Sequence, residues 1–134
     1  MIIKVRWVIV NPAWEIFLCK GHDIDYFILP GWTLEEGELI EDCLEREFIE
    51  EFGVKPVIGP VFHINDFFRG WLDEIMFDIC YKVENYEEFN DIDLSKASHG
   101  HENVEVWFYN LDDISWLYKP ENLPDVIHKH IHST

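Results

Sequence analysis

Short apolar and β-branched runs separated by turns alternate along the chain with stretches of helical period. Ile2 to Val10 is rich in β-branched residues and predicts a strand. The turn residues "NPAW" follow, and Glu15 to Lys20 predicts the returning partner. Tyr26 to Leu29 is a short apolar strand that ends at Pro30. From about Leu39 to Phe52 the period changes. Ile40, Leu44, Phe48 and Phe52 fall on one face of a helix. Gly53 is placed to stop that helix as a C′ glycine. Val57 to Phe68 and Glu74 to Val83 predict a long hairpin around "RGWLD". Glu84 to Asn103 is polar and predicts one or two mobile loops. Val104 to Tyr109 alternates as a strand, and "LDDISWL" and "ENLPDVIHKHIHST" predict helices. These elements give a mixed sheet with a central helix and a terminal one, an α+β or α/β sandwich. With no repeat, low-complexity tract or linker, residues 1–134 are expected to form a single domain.

Charge narrows the partners. Acidic residues outnumber basic ones 27 to 10, a formal charge of −17. Such a field repels nucleic-acid backbones and anionic membranes, so nonspecific nucleic-acid binding is not expected. An anionic small substrate would need a bridging cation, a first hint of a divalent metal. Cys19, Cys43 and Cys80 form no C-x-x-C pair and predict reduced, buried thiols. Lys4 and Arg6 interrupt the first apolar run, and no secretory segment or membrane span fits. The expected compartment is the cytoplasm.

The helix carries more carboxylate than solubility requires. Between Glu35 and Glu51 there are nine acidic residues and one base, Arg46. Glu47, Glu50 and Glu51 sit at i, i+3 and i+4, on a stripe bordering the apolar face. Like charges at these spacings cost a helix a few tenths of a kcal/mol each, on the order of the 0.2–0.5 kcal/mol of one ion pair. Glu50 and Glu51 also lie where the helix dipole disfavours negative charge. A divalent cation removes the conflict, because Mg²⁺ takes a few carboxylates and completes its shell with water and substrate phosphates. The plainer reading is a solvated acidic face. Arg46 can pair with Glu38, where the chain enters the helix.

The order Glu38, seven residues, Arg46-Glu47-Phe48, any residue, Glu50-Glu51, any residue, Gly53-Val54 resembles the Nudix box. "FILPG" before it suits the Pro-Gly turn that precedes the box in that family. The specific part is Leu29 to Val54; the remaining elements are compatible with a Nudix-like α/β/α sandwich with a mixed β-sheet. One position departs. The box opens with glycine six residues before the Glu that matches Glu38, and here that position is Trp32.

The resemblance implies hydrolysis of a nucleoside diphosphate linked to another moiety, with Mg²⁺ or Mn²⁺ as cofactor. It implies metal ligation by Glu47, Glu50, Glu51 and the Gly31 carbonyl. It gives Glu38 and Arg46 an orienting role. Glu51 or Glu47 could serve as base. In some relatives a glutamate from a later loop does so, and Glu102 ranks ahead of Glu105 because a loop can close on substrate. His99 and His101 share that loop, and their plainer reading is exposed loop histidines. Lys20 is a candidate phosphate contact, and Trp32 a candidate wall of the substrate cleft. Tyr26, Phe27, Phe67, Phe68 and Trp71 could stack on a base, though most aromatics are core. His128, His130 and His132 read as a solvated helix end. The expected partner is a small nucleotide, with a homodimer left open. The alternative is a catalytically weak or inactive nucleotide-binding module of the same fold, with Trp32 blocking the diphosphate.

Overall fold

The computed structural model describes residues 1–21, 26–70, 73–98, 103–110 and 118–119. Strand β1 (Ile2–Val8) is central to the first sheet, in order β4-β1-β6-β5. Its partners are β4 (Gly31–Thr33), antiparallel, and β6 (Glu74–Val83), parallel. Strand β5 (Ile58–Arg69) pairs with β6 as the expected hairpin. The second sheet has the order β7-β2-β3-β8, from β2 (Ile16–Gly21), β3 (Phe27–Ile28), β7 (Asn103–Tyr109) and β8 (Tyr118–Lys119). Two sheets, the first of mixed strand direction, with one α-helix among the described residues make an α/β arrangement, as the sequence predicts.

Helix α1 (Ile40–Phe52) forms where the apolar period is helical. It ends at Gly53, whose φ of 71° and N–H to the Ile49 carbonyl make the left-handed stop expected there. Its apolar face is buried against rings from both sheets. Phe48 lies 5.1 Å from Trp7 of β1, and Phe52 lies 5.5 Å from Phe17 of β2. Side chains of opposite parity on the same strands, Val8, Ile16 and Leu18, form a second cluster with Leu29 and Cys80.

Two departures from the sequence reading bear on the site. The "GWT" stretch is a strand, not only a turn into the helix. It is three residues long and exists because β1 supplies its hydrogen-bond partners. The polar stretch after β6 is also not a plain loop. It contains 3-10 turns at Tyr86–Phe89 and Leu94–Lys96, and Phe89 is fully buried against Phe17 and Phe48. The helices expected at "LDDISWL" and at the C-terminus, with His128, His130 and His132, lie outside the described residues. So do Trp71, His99, His101 and Glu102.

Candidate active site

The site begins where β3 gives way to β4. The Trp7 N–H donates to the Pro30 carbonyl at 3.0 Å, which pins the Pro-Gly turn to β1. Gly31 sits opposite Arg6. A Cβ at Gly31 would lie 2.7 Å from the Val5 carbonyl oxygen, so only glycine lets the two strands approach this closely. After β4 the Glu38 N–H donates to the Glu35 carbonyl, and the chain then enters α1.

Arg46 organises the carboxylates. Its Nη2 donates to Glu38 Oε2 at 2.8 Å, the pairing expected from sequence. Its Nη1 lies 3.0 Å from Glu47 Oε1 and 3.5 Å from Glu50 Oε2. The hydrogen bond from Arg46 holds the Glu38 carboxyl below the usual carboxylate range. The same contact raises the Arg46 guanidinium further, so it stays charged. Glu51 is buried at 7% exposure, on the stripe bordering the apolar face. The helix thus brings Glu47, Glu50 and Glu51 to one side, with Glu38 tied to them through Arg46. Among the described residues the carboxylates are not drawn into a group that could hold an ion, because Glu47 and Glu50 both close on Arg46. The donor set still suits a hard cation: three carboxylates, one of them buried in a chain of charge −17.

Trp32 lies opposite Val5 in β4, in extended backbone, so its substitution for glycine carries no left-handed strain. Its indole packs on the helix side of the sheet, 5.3 Å from Phe48 and 6.2 Å from Phe52. Pairing with β1 fixes which face the side chain takes, and that face is covered by α1. Lys20, near the end of β2, places its Nζ 5.9 Å from the Phe27 ring centroid. Glu105 lies opposite it on β7 and accepts a hydrogen bond from the Tyr109 hydroxyl. Burial, then that bond, pushes the Tyr109 phenol up.

One pair escaped the sequence reading. Arg6 Nε lies 3.4 Å from Oδ1 of the buried Asp78, and the Arg6 side chain is itself only 11% exposed. The signal was available, since Arg6 is a charge inside an apolar run, but its partner is 72 residues away. The surrounding charges share one neighbourhood. Burial pushes the Cys19 thiol up, Glu51 adds to this, and Arg6 and Lys4 oppose it.

Solved structures share this architecture. The E. coli dihydroneopterin triphosphate pyrophosphohydrolase superposes with a TM-score of 0.74 at 14% identity, over 98% of this chain and 96% of that one. The MutT protein from Methanosarcina mazei Go1 gives 0.70 at 21% identity, over 98% and 94%. A NUDIX hydrolase from Nitrosomonas europaea gives 0.67 at 16% identity, over 98% and 88%. At such identities these likenesses speak for the fold alone. The sequence has no match among curated proteins. The profile of the NUDIX domain matches residues 3–129, which takes in every element that builds the site, and the chain belongs to that family.

Proposed function

We propose that this protein is a pyrophosphohydrolase that cleaves the diphosphate of a nucleoside diphosphate linked to another moiety, with Mg²⁺ or Mn²⁺ as cofactor. The observation that carries this reading is the buried Glu51 carboxylate beside Glu47 and Glu50, on a helix whose only base, Arg46, is tied to Glu38. Glu47, Glu50, Glu51 and the Gly31 carbonyl would hold the cation. A bound divalent ion supplies charge neutralisation at the phosphoryl oxygens and acidity to a nearby water. The chain's own residues do the rest. Glu38 and Arg46 fix the entry of the loop into the helix. Lys20 meets the phosphates. Glu51, Glu47 or Glu102 takes the proton from the attacking water. The displacement is in line at phosphorus, where positioning and electrostatics supply most of the rate.

The binding-only alternative rested on obstruction by Trp32. The indole is turned onto Phe48 and Phe52, which favours the enzyme. The test is a panel of nucleoside triphosphates, ADP-ribose, dinucleoside polyphosphates and nucleotide sugars, each incubated with Mg²⁺ and the protein. At least one should turn over, and Glu50→Gln and Glu51→Gln should each remove most of that activity with the fold retained. No turnover across the panel, or near-normal rates in both variants, refutes the reading.

A further inference from the structure

Trp32 stands where the family's box has glycine, so its role belongs to this chain. Its ring spans one turn of α1. Phe48 is 5.3 Å away and Phe52 6.2 Å away, and Trp7 of β1 backs the indole at 6.3 Å. Phe48 follows Glu47 and Phe52 follows Glu51. The indole therefore grips the turn that carries these two carboxylates from both ends. Its neighbour Gly31 is held against β1 by the close approach to Val5 and by the Trp7–Pro30 hydrogen bond. One short strand, β4, thus carries the Gly31 carbonyl and the ring that sets the helix.

We propose that Trp32 is a positioning residue for the divalent cation, fixing the height and rotation of the turn bearing Glu47 and Glu51 relative to the Gly31 carbonyl. The inference rests on the metal reading above. Phe17 and Phe89 also pack on Phe52 and Phe48, and Trp32 is the ring among them that β4 carries beside Gly31. The last turn of the helix contains no basic residue, and its outer face is acidic. A smaller side chain at position 32 lets the turn roll or settle toward the sheet, and the carboxylates move with it. Groups that orient metal ligands without touching the ion typically change metal affinity by about 10- to 100-fold when removed. Packing alone would lower stability and leave the affinity of the folded protein unchanged.

The experiment titrates Mn²⁺ into the metal-free full chain and reads the free ion by electron paramagnetic resonance. Near-ultraviolet circular dichroism checks that each variant is folded. Trp32→Gly is expected to bind Mn²⁺ at least about tenfold more weakly, with Trp32→Phe weakened by about threefold or more. Where Trp32→Gly does not fold, Trp32→Phe decides alone. Affinity losses of less than about threefold in the folded variants overturn the proposal, even with lowered stability. Wild-type protein that holds no more Mn²⁺ than Glu51→Gln refutes the metal reading itself, an outcome separate from any effect of Trp32.

Discussion

Replacing Gly31 with alanine tests how tightly β4 is held. The added Cβ falls 2.7 Å from the Val5 carbonyl oxygen and 3.0 Å from Arg6 Cγ. The Arg6 side chain could yield, but the Val5 carbonyl cannot move easily. Strand β1 is paired on both sides, by β4 and by β6. The strand that yields is β4, a three-residue edge. Overpacking of this kind costs about 1–3 kcal/mol. Alanine also restricts the unfolded chain, a gain of about 0.4–1 kcal/mol where the backbone tolerates it, as it does outside the left-handed region. The clash wins, and the net loss is about 0.5–2 kcal/mol. For a domain of this size that lowers Tm by roughly 2–8 °C. Urea unfolding followed by far-ultraviolet circular dichroism measures the change, with an unaltered slope expected. A Gly31→Ala protein as stable as wild type, or more so, refutes the close approach of β4 to β1.

Phe89→Ala should lose about 3–5 kcal/mol in the same assay, because the ring is fully buried 5.4 Å from Phe17 and 5.5 Å from Phe48; a loss under about 1 kcal/mol would show that the turn does not pack there. The three buried thiols should resist a thiol reagent at pH 8 in the native protein and react together in urea. Burial pushes Cys43 and Cys80 up to about 12 from an ordinary value of 9.0. Their contribution to stability is therefore present below about 9 and lost as pH rises toward about 12. Stability that holds level from pH 9 to 11 would contradict the burial.

The elements legible in the sequence are those whose signals are local. The helix was readable because Leu44, Phe48 and Phe52 share a face and Gly53 supplies its stop. The Glu38–Arg46 pair was readable because Glu38 lies where the chain enters the helix and Arg46 is the one base on that helix. Strand β4 was not, since Pro30 and Gly31 signal a turn and three residues carry no period of their own. Its existence depends on β1, some 25 residues earlier. Phe89 was hidden among acidic neighbours, and only packing on Phe17 and Phe48 shows it as core. The direction of Trp32 follows from register, and register is a property of two strands rather than one.

The placement of Trp32 explains how α1 tolerates its own sequence. Acidic residues in the first turn, Glu41 and Asp42, suit the helix dipole. Those at the other end do not, and no base in the last turn offsets them. Arg46 neutralises part of the stripe through Glu38, Glu47 and Glu50, but it is exposed, and exposed ion pairs are worth roughly 0–1 kcal/mol. A helix of 13 residues is marginal alone even with good propensity. What holds it is the aromatic layer beneath: Trp7, Phe17 and Trp32 against Phe48 and Phe52. Burying one such ring is worth about 1.5–3 kcal/mol, and several together outweigh the like-charge repulsion above them. The aromatic face and the acidic face are thus coupled by necessity. On the proposed metal reading, a helix that presents three carboxylates to a cation cannot stabilise itself by mixing lysine among them, so its stability has to come from the opposite side.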